Sequence, residues 1–168
     1  TVTEVTQGTN GAVVINGGLN VTYTPAANFH GSDSFTYTVS DGQATATATV
    51  TMTISPVNDA PDAVDDTATT GEDTAATLSV LGNDTDVDST TLAIASVTSG
   101  AGGTAVLNEN GTVTFTPNAN FNGVADFTYT VTDGSLTSNA ATVTVGVAAL
   151  NDAPVAGDDA LSPTGQMT

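Results

Sequence analysis

Apolar and polar residues alternate with a period of two along much of the chain. The run FTYTV occurs at 35–39 and again at 127–131, with Phe, Tyr and Val on one face and Thr on the other. Such alternation is typical of half-buried strands, and no segment shows the spacing of apolar residues that an amphipathic helix needs. We therefore predict an all-β chain.

One motif of about 42 residues occurs twice, and its two copies are about 92 to 93 residues apart. Residues 20–61 align with 112–154, so that Asp41 corresponds to Asp133, 92 positions later. All eight aromatic residues fall inside the motif at matching places. A duplicated set of large side chains predicts tandem units that each build the same core.

The repeat predicts three parts: the C-terminal part of a first module at 1–57, a complete module at 58–150, and the linker and first strand of a third at 151–168. Seven short strands in about 93 residues predict a Greek-key β-sandwich. Tight turns are expected at Asn110–Gly111 and Asp133–Gly134. The strands of the complete module are predicted at 62–69, 75–80, 92–98, 104–108, 111–116, 125–132 and 137–147.

The first module lacks counterparts of residues 58–94, which would supply its first two strands. Open strand edges and a marginal core are expected there. Two explanations stay open. The chain is part of a longer array, or a neighbouring copy completes the sandwich by strand donation, with 151–168 as the donor and copies joined head to tail.

The charge is extreme, because the chain has 18 acidic residues, no Lys or Arg, and a net charge of −18. Two carboxylates about 5 Å apart repel by about 3 kcal/mol at an effective dielectric of about 20. Cations from outside must therefore neutralise them, either as bound metal or as screening salt. Nucleic acids and anionic membrane surfaces are excluded as partners, because the chain offers no positive charge to their phosphate groups. No apolar run reaches the roughly 18 residues of a membrane span.

The amino-acid composition narrows the kinds of metal site that can form and argues for a folded chain. Without Cys, neither disulfides nor thiol–zinc sites can form. High charge alone would favour disorder, but 39% apolar residues in strand-like alternation argue against it. Oxygen atoms are the only abundant ligands, so a hard cation such as Ca²⁺ is the expected cofactor.

The predicted strand order places many of these oxygens at the module ends. Three separate stretches converge at the N-terminal end of the complete module: the linker with Asn58 and Asp59, the loop at 83–88, and the loop with Asp133. Together they offer enough oxygen atoms for Ca²⁺, which takes about six to eight oxygen ligands. The first turn, the loop at 118–120 and the following linker lie at the opposite end. The predicted calcium ligands are Asn58, Asp59, Asp65, Asp66, Glu72, Asp73, Asp84, Asp86, Asp88, Asp133, Asn151, Asp152, Asp158 and Asp159.

Several of these residues have ordinary structural explanations that stay open. The loop at 83–88 imitates the start of an EF-hand, but Ser89 and Ala95 stand where that loop needs Gly and Glu, so the EF-hand is excluded. A solvated acidic turn is the alternative there. Asp41 and Asp133 precede Gly as in a common hairpin turn, and His30 is expected to be a turn residue.

The NDAP linkers at 58–61 and 151–154, the NDTDVDS loop at 83–89 and the repeated FTYTVxDG strand resemble cadherin-like tandem repeats of giant bacterial surface adhesins. The resemblance implies a cadherin/Ig-like sandwich, an extracellular location, and calcium bound at the linker through Asn58 and Asp59. The Asp-Arg-Glu triplet of true cadherins is missing.

We therefore expect a calcium-rigidified spacer or stalk repeat of an extracellular adhesin, with adjacent repeats as its partners. A filament or sheath subunit assembled by strand donation is the first alternative. A carbohydrate-binding module is another, although it would need exposed aromatic residues. Catalysis is not expected, because the chain has no Cys, Lys or Arg and its single His has no counterpart in the other repeat.

Overall fold

The computed structural model describes residues 1–154, which form twelve strands and no helix. The chain divides into two compact units. Among the described residues, unit 1 comprises 1–62 with two further segments, 85–92 and 132–138, and unit 2 comprises 63–84, 93–131 and 139–154. No helix in the described part is long and apolar enough to cross a membrane.

Seven strands run through the complete repeat, in two sheets. The strands are β6 (Asp66–Gly71), β7 (Ala76–Leu78), β8 (Ala93–Ser99), β9 (Gly103–Leu107), β10 (Val113–Pro117), β11 (Gly123–Thr132) and β12 (Ala141–Ala148). The four-stranded sheet has the order β6-β12-β11-β8, and the three-stranded sheet has the order β7-β10-β9. Strand β6 pairs in parallel with β12, and β11 pairs antiparallel with β12. The all-β prediction is confirmed, whereas the Greek-key connectivity stays a prediction.

The predicted strand boundaries were wrong by about four residues at two places. The first strand begins at Asp66 instead of 62, and the last begins at Ala141 instead of 137. Asn139 explains both shifts, because its side chain accepts from the Ala63 N–H at 3.1 Å and donates to the Ala63 carbonyl at 2.8 Å. Side-chain bonds there replace the backbone ladder that would have extended both strands.

Alternating residues build the core of unit 2. Phe127, Tyr129 and Val131 all point inward from β11 and are at most 1% exposed. Phe127 stacks on Phe115 of the other sheet with ring centroids 6.0 Å apart. Because side chains alternate across a strand, every second residue of this run of β11 contributes to the core.

Unit 1 contains five strands: β1 (Val2–Val5), β2 (Gly11–Asn16), β3 (Asn20–Pro25), β4 (Gly31–Ser40) and β5 (Thr45–Ile54). They form one sheet of order β1-β4-β5 and a pair β2-β3. Tyr23 stacks on Phe35 at 6.3 Å, which repeats the aromatic pair of the other unit. These five strands match β8 to β12, and no strand among the described residues of unit 1 matches β6 or β7.

Candidate metal sites

Three separate segments lie together in unit 1, as the sequence predicted. The Asn58 side chain donates to Asp133 Oδ2 at 2.6 Å, and the Asp59 N–H donates to Asp88 Oδ2 at 2.7 Å. The backbones of Asp62 and Thr85 exchange two hydrogen bonds of 2.8 and 3.1 Å. The linker, the acidic loop and the hairpin at 132–138 are thus joined residue by residue. We call this group the linker cluster, with members Asn58, Asp59, Asp86, Asp88 and Asp133.

Asp86 is the member of the linker cluster whose surroundings indicate a need for a cation. Its Oδ1 accepts hydrogen bonds from the N–H groups of Asp88 and Ser89 at 2.7 and 2.8 Å. Its Oδ2 is buried and has no hydrogen-bond partner. An unsatisfied buried charged oxygen costs more than about 1–3 kcal/mol, and this chain has no Lys or Arg to neutralise it. A hard cation would satisfy this oxygen, and oxygen atoms of this kind are the ligands that calcium takes.

Asp133 also has the ordinary structural role that was left open for it. Its Oδ1 accepts from the N–H groups of Ser135 and Leu136 at 2.6 and 2.7 Å. The Leu136 N–H, then the Asn58 amide and the Ser135 N–H, lower the pKa of the Asp133 carboxyl. Asp41 repeats the turn in the first module, where Oδ1 accepts from two backbone N–H groups at 2.8 Å. Asp133 therefore closes the hairpin and also ties down the linker.

A second group of oxygens surrounds a buried phenol in unit 2. Tyr129 is 1% exposed, and its Oη lies 3.0 Å from the carbonyls of Val64 and Val80, 3.0 Å from Asp66 Oδ2 and 3.1 Å from Asp84 Oδ1. The phenol has one hydrogen to donate to these four acceptors. Burial, followed by the hydrogen bond to Asp66 and the charges of Asp66 and Asp84, raises the pKa of Tyr129. We call these residues the tyrosine cluster.

The carboxylates of the tyrosine cluster affect one another. Burial raises the pKa of Asp66, and the nearby charges of Asp84 and Asp65 raise it further. Asp84 Oδ1 also accepts from the Val64 N–H at 2.8 Å, and Asp65 Oδ1 accepts from the Thr142 N–H at 2.7 Å. The carboxylates of Asp84 and Asp65 therefore hold in place the segment that leads into β6. Sequence reasoning assigned no role to the Tyr129 hydroxyl, which only its predicted inward position could have suggested.

The carboxylates predicted for the far end of the complete module also meet their expected neighbours. Glu72 is 4% exposed, and it accepts from the Leu150 N–H at 2.5 Å and from the Asn122 side chain at 3.3 Å. Asp73 Oδ1 accepts from the Asn120 N–H at 3.0 Å. The first turn, the loop near 120 and the chain leading into the next linker are thus joined.

The two linkers make the same local hydrogen bond. Asn151 Nδ2 donates to the Asp152 carbonyl at 3.2 Å, just as Asn58 Nδ2 donates to the Asp59 carbonyl at 3.1 Å. The repeated bond agrees with the repeated sequence. The predicted ligands Asp158 and Asp159 lie outside the described residues.

A further buried carboxylate was not singled out from the sequence. Asp33 is 5% exposed and accepts from the Tyr23 hydroxyl at 2.7 Å and from the N–H groups of Thr9, Asn10 and Ser34 at 2.9–3.0 Å. The Tyr23 hydrogen bond and these N–H groups lower the pKa of Asp33 to about 2, against burial. Burial and the bond to Asp33 raise the pKa of Tyr23 to about 12. Asp33 thus anchors the loop before β2.

Within residues 1–154, no three His, Asp or Glu side chains are arranged as a group that could hold a metal ion. Many of the carboxylates accept hydrogen bonds from backbone N–H groups instead. Calcium also takes carbonyl and amide oxygens, which are present in both clusters. The arrangement therefore offers oxygens held near their positions by the backbone, with one buried carboxylate oxygen left unsatisfied in the linker cluster.

Comparison with known protein families gives two matches that follow each other along the chain. A sequence model described as a cadherin-like domain matches residues 57–148, and one described as a bacterial Ig domain matches residues 1–53. No curated protein sequence matches the chain significantly.

Solved structures with similar coordinates are distant. An endo-fucoidan hydrolase from glycoside hydrolase family 107 is 21% identical with a TM-score of 0.42, over 88% of this chain and 24% of that one. Domains 4 and 5 of the S-layer protein SbsC are 21% identical with a TM-score of 0.40, over 81% and 65%. Protocadherin Gamma B2 domains 1–5 are 18% identical with a TM-score of 0.42, over 90% and 34%. The chain thus spans about a quarter of the length of the hydrolase.

Proposed function

The chain belongs to the cadherin-like domain family through residues 57–148, and we propose that it is a non-catalytic, calcium-stiffened spacer repeat of an extracellular bacterial adhesin. The tandem order of a bacterial Ig domain followed by a cadherin-like domain supports a structural repeat. Its partners in this role are adjacent repeats of the same protein.

The buried, unpartnered Oδ2 of Asp86 is the observation that carries the calcium part of the proposal. Asp86 would hold the ion together with one carboxylate, from Asp59 or Asp88, and with amide and carbonyl oxygens of the linker cluster, such as the side-chain oxygen of Asn58. A bound Ca²⁺ would supply the positive charge that this chain lacks. The carboxylates would then attract a shared cation instead of repelling one another.

The hydrogen bonds of the linker cluster explain how one ion could stiffen the protein. Residues 58 and 59 bond to the hairpin and to the acidic loop, so an ion held by this group would tie three chain segments at once. Ordering the three segments costs conformational entropy, and the free energy of ion binding would offset this cost. Without the ion, the repulsion of Asp59, Asp86 and Asp88 would loosen the same contacts.

Calcium at about 10 mM with a dissociation constant of about 0.1 mM would stabilise the folded protein by about 2.7 kcal/mol per site. That is a large fraction of the 5–15 kcal/mol that is typical of a domain's stability. An extracellular setting, where calcium is abundant, suits weak sites of this kind. A spacer that is soft without calcium and rigid with it is the role we propose.

Melting curves test the proposal. The melting temperature in about 10 mM CaCl₂ should fall when chelator is added and should not recover with NaCl of equal ionic strength. The Asp86→Asn variant should lose most of the calcium response, whereas Glu109→Gln, which removes the same charge from an exposed position, should keep it. Full recovery in NaCl alone would mean that the carboxylates need only screening.

A further inference from the structure

The dipeptide Asn-Gly occurs four times in the chain, at 10–11, 16–17, 110–111 and 122–123. In such a pair the backbone nitrogen of Gly can attack the side-chain amide of the preceding Asn, because Gly has no side chain to shield its nitrogen. The same chemistry is therefore open to all four pairs, and their surroundings in the fold decide which of them reacts.

The backbone conformation separates the four pairs into two kinds. Gly11 is the first residue of β2 and Gly123 is the first residue of β11, so the nitrogen of each belongs to a strand. The other two pairs lie at the hairpins that join β2 to β3 and β9 to β10. A turn leaves the backbone more freedom than a strand to close the succinimide ring that the attack forms.

Asn110 is the one of the four asparagines whose side-chain oxygen accepts hydrogen bonds from described residues. Its Oδ1 accepts from the Thr112 hydroxyl at 2.7 Å and from the Thr112 N–H at 3.2 Å. A backbone N–H can only donate, so the atom that faces it is the amide oxygen and not the nitrogen. Asn16 and Asn122 instead donate through Nδ2, to a threonine hydroxyl and to a carboxylate. Among these amides, that of Asn110 is polarised at its oxygen.

Asn108 fixes the direction in which the Thr112 hydroxyl donates. The Asn108 Nδ2 donates to Thr112 Oγ1 at 2.9 Å, and Thr112 is half-buried. Because Oγ1 accepts from Asn108, its own hydrogen is directed toward Asn110. Hydrogen bonds in series also strengthen one another. We call the side chains of Asn108, Asn110 and Thr112 the hairpin network.

The surroundings of Asn110 let the reactants in and out. Asn110 is exposed, so water reaches its amide and ammonia can leave. A Cβ added at Gly111 would meet nothing within 4 Å, so the space beside its nitrogen is open. The Gly111 N–H donates to the Asn108 carbonyl at 3.0 Å, and this hydrogen lies in the peptide plane. The bond therefore does not block the face of the nitrogen from which Asn110 Cγ approaches.

We propose that Asn110 is a site of autocatalytic deamidation in the folded protein. The Gly111 nitrogen forms a bond to Asn110 Cγ, and negative charge develops on Oδ1, where the two donors of Thr112 stabilise it. The Cγ–Nδ2 bond then breaks, and the amide nitrogen leaves as ammonia with the proton that Gly111 loses. Water opens the succinimide at either carbonyl and gives aspartate or isoaspartate. Each event adds one negative charge to a chain of net charge −18.

Incubation of the full-length protein in mildly alkaline buffer tests the proposal, with peptide mass spectrometry as the readout. The chain has no Lys or Arg for trypsin, so a protease that cuts after large apolar residues provides the peptides. Asn110 should react about fivefold faster than Asn16, the other hairpin asparagine, because one ordinary hydrogen bond changes a rate by about that factor. The difference should vanish in denaturant, where the hairpin network is lost.

Two substitutions at Thr112 separate the effect of the hydroxyl from that of the turn. Thr112→Val removes the hydroxyl, keeps the shape of the side chain and should slow the reaction at Asn110 about fivefold. Thr112→Ser keeps the hydroxyl and should react as the wild type does. Thr22→Val, which removes the hydroxyl that Asn16 contacts, is the matched control and should leave Asn110 unchanged. Each rate is divided by the rate of the same variant in denaturant.

Three results would overturn the proposal. The first is an equal rate at Asn110 and Asn16 in the folded protein. The second is a Thr112→Val variant that reacts as fast as the wild type. The third is a preference for Asn110 that persists in denaturant, because the local sequence and not the hairpin network would then be its cause.

Discussion

The phenol of Tyr129 allows a quantitative test of how the tyrosine cluster stabilises unit 2. The change is Tyr129→Phe, which removes one oxygen and leaves the ring in place. That oxygen lies within 3.2 Å of five oxygens, from two carbonyls and from the carboxylates of Asp66 and Asp84. The ring itself is 1% exposed, so its packing should survive the substitution.

The expected loss of stability depends on the one hydrogen that the phenol donates and not on the number of oxygens around it. A phenol donates one hydrogen bond, and a bond to a charged acceptor contributes about 1.5–3 kcal/mol to stability. The remaining contacts join lone pairs, so losing them costs little. We expect a loss of about 1.5–2 kcal/mol, which for a domain of this size lowers the melting temperature by about 6–16 °C.

Differential scanning calorimetry in chelator would measure this loss, with Tyr37→Phe as the control. Tyr37 is the counterpart of Tyr129 in unit 1, where it is half-buried and its hydroxyl makes no hydrogen bond to the described residues. Its substitution should change stability by less than about 0.5 kcal/mol. An unchanged melting temperature for Tyr129→Phe, or a loss above about 4 kcal/mol, would refute the single-donor reasoning.

Two further predictions concern unit 1 and the difference between the cores. Because the pKa of Asp33 is about 2 in the folded protein against 3.8 in an unfolded chain, its contribution is present above pH 4 and disappears as pH falls through 2; acid unfolding followed by circular dichroism should lose that step in Asp33→Asn. Val143→Ala should cost about 2 kcal/mol in denaturant unfolding because Val143 is 0% exposed, whereas Val50→Ala should cost less than about 1 kcal/mol. Equal losses of stability in the two variants would contradict the finding that unit 2 buries this valine and unit 1 leaves its counterpart partly exposed.

Strand alternation and the internal repeat predicted most of the fold. The inward positions of Phe127, Tyr129 and Val131 followed from a period of two, and all three are buried. The missing first strands of the first module followed from comparing its sequence with the second. Such features depend on local pattern, which a sequence displays directly.

The site was harder to predict, because acidic residues have several uses in a fold. The joining of Asn58 with Asp133 and of Asp59 with Asp88 agreed with the predicted strand order. The turn at Asp133 was one of the alternatives that the Asp-Gly sequence offered. The bonds from backbone N–H groups to Asp86 and Asp84 could not be predicted, since they depend on loop geometry of a few tenths of an ångström. Which carboxylate oxygen is left buried and unpartnered depends on the same geometry.

A calorimetric calcium titration of the full-length protein and its Asp86→Asn variant tests the central claim most directly. We predict saturable heat for the wild-type protein in 150 mM NaCl and the loss of at least one site in the variant. The Glu109→Gln control should bind as the wild type does. No saturable binding, or an isotherm that Asp86→Asn leaves unchanged, would contradict a calcium ion held by the linker cluster.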